Sequence, residues 1–307
     1  MTARASTTPI SAVNPAAASA EAAAQAPALR RHLPRHTGLL TGGLLFALIA
    51  LAALAAPLLG LADPYAGDLA ARQLPPIWED GGTWAHLFGT DHLGRDLLTR
   101  LVYGARISLL VGVTVALVAG TIGTVLGVLA GYFGGWVDTA INFLITTRLA
   151  MPLVLVALAV VNVFGPSLKI VVGVLGLLLW DRFAVVARSA TQQVRSLEYV
   201  QAARAVGCGP MHIVFREILP NISGPLLVVA TLEMAHAILL EAALSFLGLG
   251  VPAPLPAWGL MIAEGKDMMF FSSYLIAVPG AALFVLVLAI NLLGDGLRDV
   301  TAARGRN

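Results

Sequence analysis

Apolar residues in this chain come in runs far longer than a soluble domain needs. Six predominantly apolar stretches stand out, at 39–61, 107–132, 141–164, 168–187, 222–247 and 274–293, the third being the weakest. Each approaches the roughly 20 residues that a helix needs to cross a hydrocarbon layer about 30 Å thick. The pattern therefore predicts an all-α integral membrane protein with six transmembrane helices. Between the first and second of these runs the chain also changes period. In 94–108, Leu97, Leu98, Leu101 and Val102 fall on one face, with Arg95, Asp96, Thr99, Arg100 and Arg106 on the other. That spacing predicts a helix in the membrane interface, running into the second span.

The stretch 198–220 interrupts the apolar pattern most sharply. Tyr199, Ala202, Ala203 and Val206 recur at helical spacing as one face of mostly small residues, and Gly207, Gly209 and Pro210 end that helix before another begins near Met211. Two short helices joined by a glycine-rich bend are expected. Small side chains there would let a second surface approach the backbone closely. Inside the second span Gly123, Gly127 and Gly131 repeat every four residues, with Ala116 and Gly120 extending the stripe, a pattern suited to helix packing. Pro152 should kink or loosen the third span.

Composition agrees with the membrane reading: 58% of residues are hydrophobic and 12% charged. A net charge of +2 is too small for a nucleic-acid partner, and the single Cys208 allows neither an internal disulfide nor a cysteine metal cluster. Charge placement says more. Arg4, Arg30, Arg31 and Arg35 precede the first span, Arg188, Arg195, Arg204 and Arg216 follow the fourth, and Arg298, Arg304 and Arg306 follow the sixth. The positive-inside tendency places all three segments, and both termini, in the cytoplasm. The segment 62–106 opposes it, with Arg72, Arg95, Arg100 and Arg106 on the outer side. Residues 1–37, rich in Ala, Ser, Thr and Pro, read as a disordered cytoplasmic tail. The expected organisation is that tail, an anchor helix at 38–62, an external segment at 63–106, a core at 107–297 containing a loop at 188–220, and a tail at 298–307.

Enzymatic signatures are scarce. The sequence has no Gly-x-x-x-x-Gly-Lys-Ser/Thr phosphate loop, no His-Glu-x-x-His and no Gly-x-Ser-x-Gly. His32 and His36 flank Pro34 in the tail and make a poor metal site; Asp181 and Asp295 fall near expected cytoplasmic span ends, where a solvated aspartate needs no special role. The Ala-Ala-x-x-x-Gly pattern at 202–207 also occurs in DNA-binding helix pairs, but flanking membrane spans oppose that use. Polar residues inside spans are candidates to line a pathway, because charge at bilayer depth is costly and rarely faces lipid. Glu233 and His236, one turn apart, either line it or satisfy each other; Glu241 suits packing or gating; Arg148 either faces the pathway or reaches back to the cytoplasmic surface.

Four ordered blocks carry a family resemblance. They are the loop with Gln201-Ala-Ala203, Gly207, Ile218 and Pro220; Gly89-Thr-Asp-His-Leu-Gly-Arg-Asp with the residues to Leu109; Glu241-Ala-Ala-Leu-Ser-Phe-Leu-Gly-Leu-Gly250 with Ala257-Trp-Gly259; and Asn291-Leu-Leu-Gly-Asp-Gly-Leu-Arg-Asp299. Together they resemble the second, C-type permease subunit of ABC importers of the dipeptide, oligopeptide and nickel family. The resemblance implies a type I importer permease fold and a non-enzymatic subunit forming half of a translocation pathway for peptides. It also implies a second homologous permease, an extracytoplasmic substrate-binding protein, and two ATPase subunits that hold ATP and Mg, in a bacterial or archaeal cytoplasmic (inner) membrane. The loop, with Glu198, Tyr199, Gln201, Ala202, Ala203, Arg204, Gly207 and Pro220, would then rest in an ATPase cleft. One departure is Gln201, where the wider family has Glu, so a carboxylate pairing there is not expected. Nickel chelates or other small solutes are alternative cargo, and a stand-alone proton-coupled transporter using Glu233 and His236 is a further alternative.

Overall fold

A computed structural model describes the backbone of residues 37–304 and side chains to residue 301; most of the expected N-terminal tail, with His32 and His36, and the last three residues lie outside them. Among the described residues there is no strand, just one isolated bridge between Thr90 and Asp96. Among the described residues ten helices carry the fold: α1 Thr37–Ala55, α2 Leu97–Phe133, α3 Gly135–Ala150, α4 Leu153–Phe164, α5 Leu168–Leu178, α6 Asp181–Val194, α7 Glu198–Ala205, α8 Pro210–Phe246, α9 Trp258–Gly265 and α10 Tyr274–Arg304. Five helical runs among the described residues are long and apolar enough to cross a membrane, and α3 with α4, bent by 83°, make a sixth when counted as one span. The bend follows from Pro152, which caps α4 and has no N–H to continue the ladder.

The bundle is organised around α2, whose 37 residues give a rod about 55 Å long. Asp96 caps it by accepting from the Thr99 N–H at 2.8 Å. Its glycine stripe lies directly on α6: a methyl at Gly123, Gly127 or Gly131 would overlap the backbone carbonyl of Trp180, Ala184 or Arg188 in turn. One core cluster joins α2, α4, α5, α6 and α8 through Val111, Val115, Ala157, Val161, Leu175 and Phe183. A second joins α1, α2, α8, α9 and α10, including Ala53, Leu97, Ile238, Trp258 and Leu286.

Five expectations change. Most of the polar side of 94–108 is covered by protein: Arg95, Thr99 and Arg100 are buried, the two arginines paired with Asp91 and Glu264, while Arg106 stays exposed. The fourth span continues past Ala187 to Val194, since Arg188 grips both carboxylate oxygens of Asp138 on α3 and is neutralised within the bundle. Asp181 consequently lies in the middle of that run, 5% exposed, and not at a solvated end. The second short helix near Met211 is the first turns of α8, which passes through a π-helical stretch at Ile213–Ile218, where Leu219 N–H bonds Val214 C=O beside the donor-less Pro220. Finally, α10 runs on to Arg304, as Gly294 and Gly296 stay helical and no proline follows them.

Candidate functional site

Between α6 and α8 the chain leaves the bundle to form a small exposed unit. α7 buries just one side chain, Val200, which joins Ile213, Ile218 and Ile222 in a cluster under the loop; Ala203 and Cys208 are half-buried against it. Tyr199, Ala202 and Val206 stay outside, Val206 at 84% exposure, while Met211 and Phe215 of α8 are exposed in an apolar groove beside Val125, Leu129 and Phe133 of α2. The expected face is therefore Tyr199, Ala202 and Val206, with Ala203 turned inward. Gly207 takes φ +90°, and open space surrounds the position a Cβ would occupy. Its requirement is conformational, not steric. The Tyr199 hydroxyl is pushed up from its ordinary pKa by burial and by the nearby Glu217 charge.

Internal ties hold this unit to the bundle. Arg195 donates to the Tyr132 carbonyl at the end of α2 (2.9 Å), and the Arg204 guanidinium stacks 5.0 Å from the Tyr132 ring centre. Gln201 donates its Nε2–H to the Arg195 carbonyl at 2.9 Å, closing the C-terminal turn of α6. A carboxylate at position 201 has no proton to give that carbonyl. The departure from Glu thus has a local use that sequence alone did not reveal. Glu198 begins α7 as its first-turn acid, a placement favoured by the helix dipole.

The in-span polar residues separate into three settings. Glu241 is buried at the far end of α8, where its Oε1 accepts from Ser245 Oγ at 2.6 Å while that hydroxyl accepts from Val251 N–H. This fixes the turn after α8. Arg148 is half-buried, and its Nε donates 2.5 Å to the Leu178 carbonyl, satisfying the acceptor freed where α5 breaks from α6. Glu233, fully buried near the middle of α8, pairs with Arg182 Nη1 at 2.9 Å and has His236 Nδ1 3.5 Å from its other oxygen. Arg182 was missed in the sequence because span four was expected to end soon after it. Charge at such depth costs about 2.5–3.5 kcal/mol on insertion scales, so this face turns toward protein or a polar path.

At the opposite end of α2 lies the cap. Asp91 receives Arg95 Nε at 2.6 Å and Arg100 Nη1 at 2.5 Å, and Glu264 of α9 receives Arg100 Nη1 at 2.7 Å and Arg95 Nη2 at 3.1 Å. Burial pushes the Asp91 carboxyl up, but the Arg95 N–H and the Arg100 and Arg95 guanidiniums outweigh it and hold its pKa below the ordinary value. Trp258 Nε1–H to Leu101 C=O (2.8 Å) and Tyr274 OH to the Leu74 and Thr90 carbonyls complete the cap.

Known proteins resemble this chain over most of its length. Residues 123–307 match the family described as binding-protein-dependent transport system inner membrane component. The dipeptide transport system permease protein DppC of Haemophilus influenzae is 37% identical over 268 residues, 87% of this chain and 91% of the relative. The di/tripeptide transport system permease protein DppC of Pseudomonas aeruginosa is 40% identical over 267 residues, 87% and 88% of the two chains. Among solved structures, an inward-facing MetNI methionine ABC transporter chain superposes with TM-score 0.54 at 18% identity, covering 66% of this chain and 95% of its own. At that identity the likeness concerns the fold.

Proposed function

We propose, for a chain that belongs to the family of binding-protein-dependent transport system inner membrane components, that it forms half of a peptide pathway driven by ATP hydrolysis on partner subunits. The named relatives are permeases for dipeptides and di/tripeptides, at identities that support the same cargo class here. The observation that carries the coupling role is the exposed unit around α7. It exposes Tyr199, Ala202 and Val206 on one face, while hydrogen bonds tie it to the ends of α2 and α6.

On this reading Tyr199, Ala202 and Val206 seat in an ATPase subunit, with Glu198 and Arg204 at the rim. Ala203 packs beneath, Gly207 sets the bend, and Pro220 marks where α8 straightens. Movement of the ATPase pair then displaces α6 and α8 together, because Gln201 ties the loop to the end of α6 and Val200 packs on Ile213, Ile218 and Ile222 of α8. Such displacement biases the transporter between inward-open and outward-open states. The partners are a second permease, two ATPases carrying ATP and Mg, and an extracytoplasmic binding protein. The loop and both termini face the cytoplasm of a cell with an inner membrane, and the cap faces the binding protein. Glu233 and His236 line the pathway; Glu241 and Arg148 position helices beside it.

The experiment is ATP-dependent dipeptide uptake by the assembled complex in proteoliposomes, comparing wild type with Gly207→Leu. Loss of uptake with normal membrane insertion is expected. Normal uptake would remove the coupling role.

A further inference from the structure

The helical run Leu168–Val194 is interrupted near its middle, and the second half, α6, opens with two charged residues, Asp181 and Arg182. Together with Glu233 of α8 they line an open groove of about 360 Å³, whose walls are otherwise apolar: Leu149, Val185, Val186, Val229 and Leu232. That size falls within the range of small-ligand cavities. Broken helices near the middle of a membrane are also common places for solute sites, since half-helix ends leave backbone groups available.

Charge makes the groove selective. Glu233 is 0% exposed; one of its oxygens has the Arg182 pair, and the other has no hydrogen-bond partner among the described residues. Arg182 uses Nη1 for that pair and leaves its side chain 57% exposed in the groove. A guanidinium carries five N–H donors, so several are free, in the planar fork that suits a carboxylate. Facing lipid with those donors would be costly at this depth. The groove also holds two carboxylates, Asp181 and Glu233, against one guanidinium. Its excess acid calls for a ligand bringing a positive group, while Arg182 calls for a negative one. A free amino acid backbone end pair, ammonium and carboxylate, satisfies both, and the apolar walls accommodate short side chains.

We propose that this groove is a binding station for a short zwitterionic peptide, with Arg182 receiving the terminal carboxylate and Asp181 facing the ammonium. The proposal rests on the peptide-permease reading above and adds a site on this chain. It separates Arg182 from Arg148, whose Nε is committed to the Leu178 carbonyl.

The test uses the complex of both permeases and both ATPases in lipid nanodiscs, without the binding protein, so that the latter's own selectivity plays no part. Equilibrium binding of labelled alanyl-alanine is measured against unlabelled peptide and its C-terminal amide. Wild type should bind the peptide and prefer it over the amide by about tenfold or more, the scale of one charge-assisted contact. The double variant Arg182→Gln with Glu233→Gln avoids stranding a buried carboxylate and should lose that preference; Asp181→Asn should weaken the peptide and its amide alike. Absent binding, equal competition by the amide, or a double variant that keeps the preference would overturn the station. So would disassembly of the complex by Arg182→Gln/Glu233→Gln, which would make Arg182 a subunit contact. Uptake with the loaded binding protein is measured alongside in wild type. Absence of peptide uptake removes the permease reading, whereas uptake without carboxylate preference removes just the groove.

Discussion

The two ends of α2 are built on opposite plans. At one end the cap turns its charges inward: Arg95 and Arg100, each 3% exposed or less, share Asp91 and Glu264, and Tyr274 and Trp258 stitch loop carbonyls to the helices. At the other end the α7 unit turns apolar side chains outward and is tied by a few bonds from Arg195, Gln201 and Arg204. A surface that is complete by itself holds a loop in one shape. A surface left apolar and lightly tied is suited to take its final support from another protein, and to move with it.

Breaking the cap should have the largest effect. Arg100→Met leaves Asp91 and Glu264 short of a buried partner, a change that typically costs about 3–5 kcal/mol. Thermal unfolding of the purified complex should show a clear drop in midpoint and the 63–96 segment should become protease-sensitive; an unchanged midpoint would refute the cap as a structural device. Next comes the helix seam. Gly127→Ala pushes a methyl into the Ala184 carbonyl and should cost about 1–3 kcal/mol as overpacking. At the loose end, Gly207→Leu imposes a backbone cost of about 1–2 kcal/mol without any clash, so the unfolding midpoint should drop less than for Arg100→Met while uptake is lost. This contrast between stability and transport sharpens the comparison most.

Two smaller effects follow. The depressed Asp91 pKa means that its contribution is full above the unfolded value of about 3.9 and disappears as pH falls through the lower folded value. Protease resistance of 63–96 should therefore fall in strongly acidic buffer for wild type, and Asp91→Asn should remove that acid dependence. Gln201→Glu removes the donor to the Arg195 carbonyl and should cost about 0.5–1.5 kcal/mol. A rise in uptake with this variant would instead argue for a carboxylate contact to the ATPase.

Much of this arrangement was readable from residue order. Span positions followed from apolar runs, the α2 seam from the spacing of Gly123, Gly127 and Gly131, and the bend from Gly207. The family blocks added the fold. What escaped were charges neutralised by residues distant in sequence. Arg188 looked like the start of a solvated loop because Asp138, fifty residues away, is not visible as its partner in a linear reading. That misplaced the end of span four and hid Arg182 and Asp181 from the pathway candidates. For the same reason 94–108 looked amphipathic toward water, although Glu264 on α9 closes its polar side. The role of Gln201 needed the position of a backbone carbonyl, which no residue pattern encodes.

The claim that the α7 unit is where an ATPase engages this chain is tested most directly by site-specific cross-linking in the assembled complex. In a Cys208→Ser background, Val206→Cys is compared with Trp84→Cys on the cap, both positions being 84% exposed. A short bifunctional reagent should join position 206 to an ATPase subunit and stop ATP-driven uptake, with no ATPase captured from position 84. Capture of the ATPase from position 84, or of the external binding protein from position 206, would contradict the account.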